Sequence, residues 1–65
     1  MTSLNKNIKK FRKESNVSQD KLSKLANVSL NTIVKLESGK SPDPTIETIQ
    51  KISRALGVSV NDLLK

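Results

Sequence analysis

With 65 residues the chain holds one domain at most, and a domain of that size buries only about 60% of the surface its unfolded chain exposes. It has no Cys and no His, which excludes disulfide staples and the usual zinc sites, and nothing in it approaches the roughly 20 apolar residues of a membrane span. The net charge is +6 with a pI near 10.0, and the excess is confined to residues 1–40, where nine Lys and Arg face three Asp and Glu while residues 41–65 balance at three and three.

Hydrophobic periodicity predicts five helices and no strand. The first runs over 3–15, with Leu4, Ile8 and Phe11 in one stripe. The opening segment MTSLNKNIKKFRKE has no continuous apolar run, so it does not read as a signal peptide. The second helix runs over 19–26 with Leu22, Leu25 and Ala26 inward. The third, 30–38, hides Ile33, Leu36 and Glu37 and displays Asn31, Lys35 and Ser38, with Thr32 at the edge and Val34 packed at the flank. The fourth, 46–56, carries Ile46, Ile49, Ile52, Ala55 and Leu56 at helical spacing. A short fifth helix covers 60–64.

The boundaries have their own signature. Val17-Ser18…Leu22, Val28-Ser29…Ile33 and Val58-Ser59…Leu63 repeat one pattern. Each serine suits an N-cap, and the apolar residues before and after it suit a hydrophobic staple. Asp62 completes a capping box in the third copy, and Thr45 is expected to cap the fourth helix. Gly39 and Gly57 each follow an apolar helical stretch, where a left-handed residue is expected. Only Asn27, Val28 and Ser29 separate the second helix from the third. Asn27 tolerates a left-handed turn, and Ser23 is small where the third helix would cross, so 19–38 reads as a helix-turn-helix. Residues 38–45, with Pro42 and Pro44, form a loop.

Residues 18–64 resemble the Cro/phage-repressor (XRE-type) helix-turn-helix family. The resemblance rests on Gln19, on Leu22…Ala26-Asn27-Val28-Ser29, on Thr32-Ile33…Leu36-Glu37-Ser38-Gly39-Lys40, and on Ala55-Leu56-Gly57-Val58-Ser59. It implies an all-α fold over 1–65, a compact five-helix, lambda-repressor-like DNA-binding domain whose third helix enters the major groove. It also implies roles. Leu30, Asn31, Thr32 and Lys35 would face base edges, Lys35 reaching either a base or a phosphate; Asn31 can pair with adenine, and Leu30 can only meet a thymine methyl or sugar. Ser18, Gln19, Ser29, Ser38, Gly39 and Lys40 would hold phosphates, with Ser38, Gly39 and Lys40 offering backbone N–H groups. Arg12 and Glu37 would form a buried ion pair. The chain departs from the family pattern at Asn27, where glycine is usual, and at Ser23, where alanine is usual. Asp43 in the following loop would repel phosphate, so no minor-groove contact is expected from it.

The neutral last third suggests self-association. Leu63 and Leu64 end the fifth helix; one can reach the core, and a two-fold partner would cover the other, setting two recognition helices about 34 Å apart. The expected protein is a cytoplasmic, nucleoid-associated, homodimeric repressor, bacterial or phage, that reads a pseudo-palindromic operator in double-stranded DNA. No catalytic residue, metal, cofactor or membrane contact is expected. An enzyme is disfavoured by the lack of His, Cys, Tyr and a glycine-rich phosphate loop. Single-stranded binding is disfavoured by a lone aromatic, Phe11, read as buried. The rival is a module that works mainly through a protein partner, antitoxin-like or antirepressor-like.

Overall fold

In the computed structural model, residues 4–40 and 44–65 are described. They form five helices and no strand: α1 Leu4–Glu14, α2 Gln19–Ala26, α3 Leu30–Ser38, α4 Ile46–Leu56 and α5 Val60–Leu64. Residue 3, expected to open the first helix, lies outside the described residues, as do Pro42 and Asp43.

Every helix after α1 starts on a hydroxyl. Ser18, Ser29, Thr45 and Ser59 have extended backbones, and their side chains accept from the N–H groups of Lys21, Thr32, Thr48 and Asp62. Each bond satisfies a donor that has no partner within its helix. Asp62 answers Ser59 by accepting from its backbone N–H at 3.1 Å, closing the capping box. The serine-centred pattern also sets the packing. Leu22, Ile33 and Leu63, each four positions after its capping serine, are wholly buried, and Val17, Val28 and Val58 pack against the same cluster. The local start signal therefore also anchors its helix to the core.

Left-handed residues end the helices. Asn27 (φ 57°), Gly39 (φ 74°) and Gly57 (φ 70°) turn their N–H groups back to carbonyls of the last turn. Asn16 (φ 57°), which the sequence did not single out, does the same after α1, donating to the Lys13 carbonyl.

The core joins Leu4 and Ile8 of α1 to Leu22 and Ala26, Ile33 and Leu36, Ile49, Ile52 and Leu56, and Leu63. α1 packs on α3, α4 and α5, α2 packs on α3 and α4, and α4 packs on α5. Ser23 and Ser53 are buried polar residues, each donating to the carbonyl three residues back, at 2.6 and 2.8 Å. Their small satisfied side chains suit close helix contacts.

Outside α3, three apolar positions differ from expectation. Leu25 is 52% exposed: Leu22, Ser23 and Ala26 form the inner stripe of α2, and Leu25 lies around the helix from its centre. Ile46 is 61% exposed, because it sits in the first turn of α4, before the buried stripe of Ile49, Ile52, Ser53 and Leu56. Phe11 is half-buried at the edge of the core, with the Lys10 ammonium 5.5 Å from its ring centroid.

Candidate nucleic-acid interface

α3 is held from behind by α1 and α2. Its Ile33 and Leu36 are buried, Thr32 and Glu37 are half-buried, and Leu30, Asn31, Val34, Lys35 and Ser38 are exposed. Those five positions trace one continuous face of a helix. Asn31 and Lys35 lie on it one turn apart, and neither side chain makes a hydrogen bond or ion pair among the described residues. Val34, expected to pack at the flank, is 41% exposed and belongs to this face, as does Leu30 at 42%.

The hydroxyl groups around that face serve the helix itself. Ser29 Oγ accepts the Thr32 N–H at 3.1 Å and lies 2.8 Å from Thr32 Oγ1, so the two hydroxyls share a hydrogen bond at the start of α3. At the other end Ser38 Oγ donates to the Lys35 carbonyl at 2.9 Å and accepts the Lys40 N–H at 3.3 Å. The Gly39 N–H donates to the Leu36 carbonyl. The N–H groups of Gly39 and Lys40, expected to face outward, are therefore engaged internally, and the Lys40 ammonium remains. Glycine also suits this left-handed position (φ 74°), where a Cβ would lie 3.1 Å from Asn5 Nδ2 and the Asn5 side chain would have to shift.

Behind the face sits the ion pair expected from the sequence. Arg12 Nε and Nη2 donate in a fork to Glu37 Oε2 and Oε1 at 2.5 and 2.9 Å, and Arg12 Nη1 donates to the Val17 carbonyl at 2.9 Å. Gln19 Nε2 adds a third donor to Glu37 Oε1 at 3.1 Å. The Arg12 and Glu37 side chains are 11% and 4% exposed. Burial pushes the Glu37 carboxyl up, but the hydrogen bonds from Arg12 and Gln19, with the charges of Arg12 and Lys9, outweigh it and hold the carboxyl below its ordinary range. The same bond from Arg12 to Glu37 raises the guanidinium pKa against the opposing effect of burial. One carboxylate thus locks α1, the start of α2 and the end of α3 together.

Gln19 was expected on a phosphate; its amide N–H is instead directed at Glu37, and the residue is half-buried. Ser18 Oγ caps the first turn of α2 by accepting from Lys21 N. Lys9, Arg12, Gln19, Val34, Glu37 and Ser38 line an open cleft of about 410 Å³ between α1, α2 and α3. Lys9 was not expected at this site. Its position three residues before Arg12, on the same face of α1, was the available signal.

At the far end of the bundle Leu63 fills the core completely, so of the two leucines proposed for self-association only Leu64 keeps surface. Asn7 Nδ2 donates to the Leu63 and Lys65 carbonyls at 2.9 and 3.1 Å and so caps the end of α5 from α1, a role not visible in the sequence. No helix among the described residues is long and apolar enough to cross a membrane.

Residues 8–63 match the family model for helix-turn-helix proteins. An HTH-type transcriptional regulator of Archaeoglobus fulgidus is 38% identical over 56 residues, covering 86% of this chain and 78% of the relative. Among solved structures, SinR, a master regulator for biofilm formation seen in complex with DNA, superposes with a TM-score of 0.92 at 32% identity, over 95% of this chain and 98% of that one. A chain of the complex between SinR and SinI gives the same TM-score and identity, and there this chain spans 60% of its length.

Proposed function

The chain belongs to the XRE-type helix-turn-helix family of transcriptional regulators, and from that premise we propose that it is a sequence-specific double-stranded DNA-binding protein, a homodimeric repressor that reads a pseudo-palindromic operator with α3 in the major groove. The observation that carries this reading is the outward face of α3. It presents Asn31 and Lys35 to solvent without internal partners among the described residues, on a helix whose other side is fixed by Ile33, Leu36 and the ion pair at Glu37. A helix of this kind suits the width of the B-DNA groove, and a carboxamide fork matches the N6 and N7 edge of adenine.

Asn31 and Thr32 act on base edges in this reading, with Leu30 and Lys35 beside them. Thr32 does so with a hydroxyl already oriented by Ser29. Lys40 and the start of α2, at exposed Ser18 and half-buried Gln19, hold phosphates on either side, and the N-cap Ser29 and the last residue of the helix, Ser38, keep both ends of α3 in position. The excess of positive charge in residues 1–40 supports a polyanion as partner. The relative solved with DNA supports the same class of ligand. Leu64 and the exposed end of α5 are proposed as the contact between two copies.

A second reading, a module that works through a protein partner, draws support from the complex of SinR with SinI. Selection of binding sites from a randomised duplex pool at moderate salt separates the two. The proposal predicts enrichment of an inverted repeat with half-sites about one helical turn apart. A pool that stays unenriched, with binding only at low salt, would refute it.

A further inference from the structure

The exposed face of α3 contains more apolar surface than the fold requires. Ile33 and Leu36 already hold the helix to the core, and both are buried. Leu30 and Val34 are nevertheless displayed, at 42% and 41% exposure, one helical turn apart. Side by side, the two offer a small apolar surface that another apolar group can cover. Its setting, however, is charged and polar. Asn31 and Lys35 lie beside it on the same face, and Val34 borders the cleft that Lys9, Gln19 and Ser38 also line. An apolar protein segment gains nothing from those cations. A polyanion with an apolar feature among its polar edges fits both.

Double-stranded DNA has one such feature. Among the base edges of the major groove, only thymine offers an apolar group, its C5 methyl. We infer that Leu30 and Val34 form a reader of thymine methyl groups, and that Val34 is a specificity-determining residue alongside Asn31. The inference rests on the reading of α3 as the groove-entering helix and deepens it. Four residues advance about 6 Å along a helix, slightly less than two steps of about 3.4 Å along a DNA strand, which suits two thymines in one half-site separated by about one base pair. Val34 then has a role that neither packing nor hydrogen bonding supplies: its methyls exclude water from beside the thymine methyl, and the polar groups around it set orientation.

The test compares thymine with deoxyuridine, which differs by that methyl alone. The probe is the most enriched duplex from the pool selection, with each thymine replaced in turn by deoxyuridine in both half-sites. Affinity is measured by fluorescence anisotropy for the parent, Val34→Ala and Leu30→Ala. Both positions are exposed, so the variants leave the core in place, and an unchanged thermal melt checks this. The parent should lose about fourfold in affinity for each critical methyl removed, the factor expected for burying one methyl-sized group. Val34→Ala should bind the thymine and deoxyuridine duplexes equally at one of those positions while still discriminating at the other, and Leu30→Ala should show the converse. Tolerance of deoxyuridine at every position overturns the inference and leaves the stripe to a protein partner. Full discrimination retained by Val34→Ala overturns the role of Val34. A pool that never enriches refutes the operator reading first, and the inference with it.

Discussion

Glu37 carries a charge in a place that admits 4% of its side-chain surface to solvent. It stays ionised because three donors from two other segments converge on its two oxygens. Such a pair adds little net stability compared with an apolar replacement of both partners, but removing one partner strands the other. Arg12→Ala should therefore destabilise the fold by about 3–5 kcal/mol, read from the chemical denaturation midpoint. A loss under about 1 kcal/mol would mean that water or Gln19 replaces the guanidinium. The pH dependence follows from the depressed carboxyl. The contribution of the pair is complete above the ordinary carboxylate value of 4.5 and is lost as the pH falls from there through the folded value. Thermal melts should show the parent losing stability across that window and Arg12→Ala losing less; equal slopes would contradict the assignment. At this scale the sequence was informative where chemistry is short-range or the motif is specific, as for Arg12, Glu37 and the caps. It was silent on Asn7, whose partners are carbonyls at the other end of the chain, since no residue pattern marks a backbone acceptor.

Helix starts were the most legible elements, because a cap and its staple lie within six consecutive residues and depend on nothing distant. All three Val-Ser patterns cap helices whose fourth residue is wholly buried. Ser59→Ala removes one half of the box at α5 and should cost about 1 kcal/mol in global stability, measured by denaturant titration. An unchanged midpoint would show that α5 frays independently of the bundle. Helix faces were less legible. The spacing of Leu22, Leu25 and Ala26 fits an inward stripe on either side of Leu22. The flank that is buried depends on where neighbouring helices cross, and Ser23, a polar residue, takes the place assigned to Leu25. Val34 was misread for a related reason: an apolar residue on a helix was assigned to packing, and only the position of α1 and α2 behind α3 shows that it points away.

The charge asymmetry acts at the scale of the whole molecule, a bundle measuring 27 × 21 × 19 Å. The basic two-thirds contains α1, α2 and α3, and the neutral third contains α4 and α5. In the proposed dimer the neutral end meets its copy, so Leu64→Lys should lower the dimer fraction in sedimentation while each monomer keeps its helical circular dichroism. An unchanged dimer fraction would remove Leu64 from the interface. Leu63 cannot serve there, since it is wholly enclosed by its own chain; the sequence named both leucines because two adjacent apolar residues at a helix end do not declare which one turns inward. In the proposed function the outward face of α3 reads base edges. The most direct test compares the motifs that the parent and Asn31→Ala select from the same randomised duplex pool. The account predicts one motif with preference lost at a single base pair, repeated symmetrically in both half-sites, and an affinity cost of about 1–3 kcal/mol. Identical motifs from both proteins would contradict it.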